Sequence, residues 1–170
     1  MLRRLPIALL LALILPPPAE AQPRLMAGGG FTAPTGDVGD AADPGYHLAA
    51  GLDVTIPQLP VGFRADGRLH VMGASSASVA DTKILGGSLS VVFRLPGVGL
   101  QPYVLGGIGT YRVEAGPAGA AIKETNRGYH GGFGVAIGAL GLGAFAEIRY
   151  VQIDADTSTR MIPLTIGLRL

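Results

Sequence analysis

At 170 residues the chain is long enough for one domain and short for two, and its 13 basic and 12 acidic residues nearly cancel, leaving no basic tail for nucleic acid. The absence of cysteine excludes disulfides, thiolate chemistry, Cys-based metal sites and a lipidated anchor. With 27 glycines and no tryptophan long helices are disfavoured, each interior Gly costing a helix roughly 1 kcal/mol, and the lack of a three-residue period excludes collagen.

The first segment, "MLRRLPIALLLALILPPPAEAQ", places Arg3 and Arg4 before an apolar run over residues 5–15, and "AEA" at 19–21 has the small-x-small form of a cleavage site. The run is too short for a spanning helix, which needs about 20 apolar residues, and three prolines end it. Residues 1–21 are expected to be a signal peptide and 22–170 the mature domain. Cleavage removes two basic residues and one acidic residue, so the mature chain is formally neutral.

From residue 24 onward the dominant period is two, the mark of half-buried strands. "RLMAGGGFT" opens the series and alternates least. "YHLAAGLDVTI" sets Tyr46, Leu48, Ala50, Leu52, Val54 and Ile56 against His47, Ala49, Gly51, Asp53 and Thr55. "GFRADGRLHVMG" puts Arg64, Asp66, Arg68 and His70 on one face, with Phe63, Ala65, Leu69 and Val71 on the other. "KILGGSLSVVFRL" alternates Leu85, Leu89, Val91 and Phe93 with Ser88, Ser90, Val92 and Arg94.

In "PYVLGGIGTYRVE" the same reading sets an apolar face of Tyr103, Leu105, Tyr111 and Val113 against Thr110, Arg112 and Glu114. "GGFGVAIGALGLGAFA" is apolar enough to suggest a helix. Its 16 residues include six glycines, so strand, Gly-rich turn and strand fit better, with Tyr129, Phe133, Val135 and Ile137 on one face. "MIPLTIGLRL" closes the series, with Ile162, Leu164, Ile166, Leu168 and Leu170 opposite Thr165 and Arg169.

Eight strands are expected, at 24–33, 46–56, 62–73, 83–95, 102–114, 127–139, 143–153 and 161–170. The connections between them alternate. The first, third, fifth and seventh are long and polar or Gly-rich ("APTGDVGDAADPG", "ASSASVADT", "AGPAGAAIKETN", "DADTSTR"); the others are tight. Short turns on one side and longer loops on the other belong to a closed, up-and-down, antiparallel transmembrane β-barrel. A soluble barrel would turn the same faces inside out. The membrane form is favoured because nine of ten aromatics lie on the apolar face: Phe31, Tyr46, Phe63, Phe93, Tyr103, Tyr111, Tyr129, Phe133 and Tyr150, with Phe145 the exception. The opposite face is built mainly of Gly, Ala, Ser and Thr with a few long charges, as an eight-strand interior filled by side chains requires. Closure demands that the last strand pair with the first, because an open edge in lipid strands backbone groups at several kcal/mol each.

Through "QPYVLGGIGTYRV", "GYHGGFGVAIGALGLGAFAEIRYV" and the terminal "IPLTIGLRL", the chain resembles the small OmpA/OmpX-type outer-membrane β-barrel family over about residues 22–170. Members usually end in an aromatic residue; here the last residue is Leu170. The resemblance implies a Gram-negative outer membrane, insertion by the barrel-assembly machinery, a monomer among outer-membrane lipids and lipopolysaccharide, and roles in envelope integrity or surface interaction.

The candidate site is the charged face. Asp53, Arg64, Asp66, Arg68, His70, Arg94, Arg112, Glu114, Glu147, Arg149 and Arg169 are assigned to the lumen, where near-balance of sign is needed because an unpaired charge in a dry interior is expensive. Within this network Glu147, Arg149, Arg169 and Arg64 are expected to form one ladder. His47, His70 and His130 share the face without a short ligand spacing, so hydrogen bonding and not metal binding is expected. Asp37, Asp40 and Asp43 lack a calcium-loop pattern, and "GGIG" and "GGFG" lack the Lys-Ser/Thr of a phosphate loop. Lipid A deacylases are similar in architecture but place a Ser and a His together on the lipid-facing side. Here Ser88 and Ser90 have no His nearby in sequence and His130 points inward by parity. The loop residues Ser75, Ser76, Ser78 and Asp81 offer little to a palmitoyltransferase-type site. The reading is a non-catalytic barrel without cofactor that acts through its external loops; the alternatives are a small pore and a lipid A-modifying enzyme.

Overall fold

The computed structural model describes residues 23–36, 43–73, 81–115, 122–139, 142–154 and 159–170. The expected signal peptide, Asp37 and Asp40 of the first connection, and Ser75, Ser76 and Ser78 of the third lie outside them.

Eight strands follow in order: β1 (Pro23–Thr35), β2 (Gly45–Thr55), β3 (Val61–Met72), β4 (Thr82–Arg94), β5 (Leu100–Ala115), β6 (Ile122–Ala139), β7 (Leu142–Asp154) and β8 (Thr159–Arg169). Each pairs antiparallel with its neighbour in sequence, and β8 returns to β1 through pairs such as Gly29↔Ile166 and Phe31↔Leu164, so the sheet is a closed barrel. Closure leaves no strand edge along the wall, which is the condition for standing in hydrocarbon. The β2–β3, β4–β5 and β6–β7 connections define a short-turn end; the other four define a long-loop end. Gln58 (φ 65°) and Gly99 (φ 78°) supply the left-handed residues in two of the tight connections.

The strands fall within a few residues of their expected bounds except on the long-loop side of β5 and β6. There the ladder continues through Arg112↔Thr125 and Ala115↔Ile122, consuming half of the expected loop "AGPAGAAIKETN". A polar stretch is as compatible with a solvated ladder as with a loop, and composition does not distinguish them.

Alternation sorts the side chains as the sequence suggests in β2, β3, β4, β6, β7 and β8. Phe31, Tyr46, Phe63, Phe93, Tyr129, Phe133 and Tyr150 all project outward, Phe31 being 75% exposed. β5 reverses the expectation. Tyr103, Leu105 and Tyr111 are buried in the interior, while Val104 and Ile108 face out. The reason lies on neighbouring strands. A Cβ on Gly86 would strike the Tyr111 ring and one on Gly134 would strike Tyr103, while one on Gly109 or Gly128 would crowd Tyr111. These glycines clear the space that two large inward rings fill. Phe145, the expected exception, is likewise buried, over Gly167.

The interior therefore has three levels. Met72, Ile84, Tyr111, Val151, Ile153 and Met161 form an apolar cluster at the long-loop end. Met26, Val92, Tyr103, Leu105, Ala136 and Phe145 form another at the short-turn end. Between and beside them lie the buried charges.

Candidate functional site

The charged level is assembled by register. Asp53 stands opposite Arg64 across the β2–β3 ladder, and Glu147 on β7 stands opposite Gly134, whose lack of a side chain leaves Tyr103 room to reach it. Glu147 is the hub. Its Oε2 accepts hydrogen bonds from Arg64 Nη1 (2.5 Å) and the Tyr103 hydroxyl (2.8 Å), and its Oε1 from Arg68 Nη2 (2.9 Å) and Arg149 Nε (2.6 Å). Asp66 accepts from Arg149 Nη2 at 2.7 Å, Ser88 Oγ at 2.9 Å and Arg68 Nε at 3.3 Å. Asp53 accepts from Arg64 Nη2 (2.8 Å) and Nε (3.2 Å), and also from Arg94, while Arg169 Nη2 lies 3.7 Å away. Arg64 thus joins the Asp53 and Glu147 centres, and Arg68 and Arg149 join Glu147 to Asp66.

A second chain of hydrogen bonds runs beside the ion pairs. His47 Nε2 bonds Thr165 Oγ1 (2.9 Å), His47 Nδ1 bonds Thr32 Oγ1 (3.0 Å), and Thr32 Oγ1 bonds His70 Nδ1 (2.8 Å). Arg68 Nη1 donates to Thr165 Oγ1 at 3.0 Å and ties this chain to Glu147. The His47 and His70 rings lie 5.1 Å apart, held by one threonine.

The structure brings Asp53, Arg64, Asp66, Arg68, Glu147, Arg149 and Arg169 together with Arg94, and places His70 beside them in the histidine chain. Arg169 joins through Asp53 and not through Glu147. Arg112 and Glu114 do not belong. With β5 reversed, Tyr111 and Val113 take the interior positions, and Arg112 projects outward with a side chain 52% exposed, paired to Glu114 at 3.5 Å. Sequence reasoning also missed Tyr103, for the same reason. Thr32, Thr165 and Ser88 were not named as members of the network, although all three sit on the polar face by parity.

Ser90 Oγ and His130 Nε2, far apart in sequence, come within 2.8 Å. Nucleophilic catalysis needs an orienting group on the other ring nitrogen and room for a substrate. His130 Nδ1 has no partner among the described residues, and Ser90 and His130 are 3% and 4% exposed inside the lumen. The pair is a buried side-chain hydrogen bond inside the lumen.

One hollow lies outside the lumen. A groove of about 1110 Å³ crosses the outer wall over small residues including Ala50, Ala65, Gly67 and Gly87. Within the barrel, two hollows of about 300 and 320 Å³ open at the short-turn end and share Arg24, Gln101 and Arg169.

A closed eight-stranded antiparallel barrel with an aromatic-studded apolar exterior and a charged, filled interior defines a transmembrane β-barrel. The sequence model of the outer membrane protein beta-barrel domain matches residues 5–169, and the chain belongs to that family. No curated protein sequence matches it. Among solved structures it is similar to Neisserial surface protein A (TM-score 0.76, 17% identity, covering 88% of this chain and 97% of that one). It is also similar to Ail, the attachment invasion locus protein of Yersinia pestis (TM-score 0.57, 17% identity, 89% and 99% covered). A third similar structure is the N-terminal barrel of Pseudomonas aeruginosa OprF (TM-score 0.57, 15% identity, 89% and 100% covered). At these identities the likeness concerns the fold.

Proposed function

We propose that this chain is a non-conducting, non-catalytic barrel of a Gram-negative outer membrane, whose working surface is its long-loop end turned to the outside. The observation that carries the reading is the filling of one lumen by two apolar clusters and by buried charges that pair between and beside them. A conducting path needs continuous polar lining, and a lipid-modifying enzyme needs its nucleophile open to the bilayer. The burial of the Ser90–His130 pair and of the paired charges speaks for a closed, non-catalytic lumen. The similar Ail structure was also solved with the heparin analogue sucrose octasulfate, which supports an external-ligand role for barrels of this shape.

In this reading residues 1–21 are removed as a signal peptide and residues 22–170 insert through the assembly machinery as a monomer. Outer-membrane lipids and lipopolysaccharide surround it. A membrane fraction should contain a band whose gel migration changes on boiling, and an epitope inserted between Asp43 and Pro44 should be stained on intact cells. Staining only after permeabilisation would reverse the orientation, and recovery only from the soluble periplasm would sink the reading. Lipid A mass should not shift on expression.

A further inference from the structure

The buried charges do not balance. Arg64, Arg68, Arg94, Arg149 and Arg169 are each 8% exposed or less, and among the described residues the buried carboxylates they face are Asp53, Asp66 and Glu147. The excess is not spread evenly. Asp66 and Glu147 are fully engaged by Arg64, Arg68 and Arg149 in the middle of the barrel. At the short-turn end a single carboxylate, Asp53, is shared among Arg64, Arg94 and Arg169, and Arg24 adds a fourth guanidinium at the mouth.

The cations there are also short of hydrogen-bond acceptors. Arg169 is 6% exposed, and among the described residues its Nε and Nη2 have no hydrogen-bond partner. Arg94 Nη1 has none either, and reaches into the space left by Gly62. Native proteins seldom leave buried donors unmatched, and a bound water or ion is one of the explanations such an exception calls for. Arg169 is held from below by aromatic faces, its guanidinium carbon 5.0 Å from the Tyr103 ring centre and 5.3 Å from that of Phe145. Cation–π contacts of this kind fix the group without neutralising it. Above lies the 320 Å³ hollow lined by Arg24, Asp53, Thr55, Arg94, Gln101 and Arg169. Arg24 is exposed and makes no ion pair among the described residues.

We propose that this mouth is an anion-binding site in which Arg24, Arg94 and Arg169, with Gln101 and Thr55, hold a phosphate group. Several forked guanidinium donors converging on one hollow match a tetrahedral oxyanion better than a single carboxylate. The hollow is large enough for the phosphate to arrive alone or on a glycerol headgroup. Only the headgroup source rests on the orientation proposed above, which turns this mouth to the inner leaflet and the periplasm. Asp53 opposes the ligand and sets the limit on affinity.

The test uses the folded protein in octyl glucoside, a detergent without phosphate, at constant ionic strength. Inorganic phosphate is titrated against chloride by calorimetry, with the unfolding temperature followed in parallel. A second titration uses short-chain phosphatidylglycerol. Saturable phosphate binding, weakened tenfold or more in Arg24→Gln and in Arg169→Gln, would establish the site for the free anion. Binding of the lipid alone, with the same loss in the variants, would assign it to a headgroup. Absence of both, or binding unchanged in Arg24→Gln, would overturn the proposal. Arg24 lies outside the buried network, so that variant keeps the test decisive even where Arg169→Gln fails to fold. Neither negative result alters the gel-migration and staining outcomes that bear on the function.

Discussion

At the scale of single residues the lumen is dominated by Glu147. It answers three guanidinium groups and a phenol, and removing its charge while keeping its shape leaves Arg64, Arg68 and Arg149 facing Asp53 and Asp66 alone. Breaking a buried ion pair from one side costs about 3–5 kcal/mol, because the partner's charge stays buried. Glu147→Gln should therefore lower the temperature at which the folded band disappears from unboiled gels, or the urea midpoint in detergent. An unchanged midpoint would show that the network contributes nothing to stability. Arg112→Gln is the control: its half-exposed pair with Glu114 stands outside the lumen, and surface changes of this kind usually stay within about 0.5 kcal/mol.

At the scale of the strand, β5 shows what alternation does and does not determine. Period two fixes which residues share a face but not which face turns inward. In β3 the charges settled the question, since Arg64, Asp66, Arg68 and His70 cannot all meet lipid. In β5 both faces are mixed: Tyr103, Leu105 and Tyr111 against Val104, Ile108 and Arg112. Aromatics on a membrane barrel are expected outside, and the deciding information lies on other strands. Gly86 on β4 and Gly128 and Gly134 on β6 are legible as glycines, but only the register makes them sockets for Tyr111 and Tyr103. Gly86→Val and Gly128→Val should each destabilise the barrel by about 1–3 kcal/mol through overpacking, the first against Tyr111 and the second against the Gln152 carbonyl and Tyr111. Gly87→Val, one residue along and facing outward with open space around it, should be neutral or slightly stabilising. Chemical denaturation of the three variants separates the two faces directly.

At the scale of the whole molecule the eight strands, the alternation of short and long connections and the closure of β8 on β1 were all legible, because each follows from local patterning plus the prohibition on open edges in lipid. The charge network was legible as a set of inward positions but not as a graph. Which arginine meets which carboxylate depends on the shear that slides strands past one another, so Arg169 meets Asp53 and not Glu147. The three-level interior follows from the whole barrel, and its consequence is measured on the whole barrel. Wild-type protein in planar bilayers should show no conductance steps. Met72→Ala with Met161→Ala opens only the long-loop level and should stay closed, since the charged level beneath it is intact. Adding Arg64→Ala and Glu147→Ala leaves the short-turn cluster in place, so flickering steps should appear only when Phe145→Ala is added as well; steps in the wild type would refute the plug.

Gly28, Gly29 and Gly30 in β1 lie against β8 on one side and β2 on the other, and a Cβ on Gly28 or Gly30 would collide with the carbonyl oxygens of Ile166 or Leu164. Between Met26 and Thr32 the first strand brings no inward side chain to the lumen. The consequence concerns the order of construction. A curled sheet of seven strands can already hold most of the Glu147 and Asp66 bonding, since none of the groups that make it belongs to β1. The final seam can then be drawn shut by main-chain hydrogen bonds, with almost nothing to thread past. The strand that alternates least is suited to being the zip fastener of the cylinder.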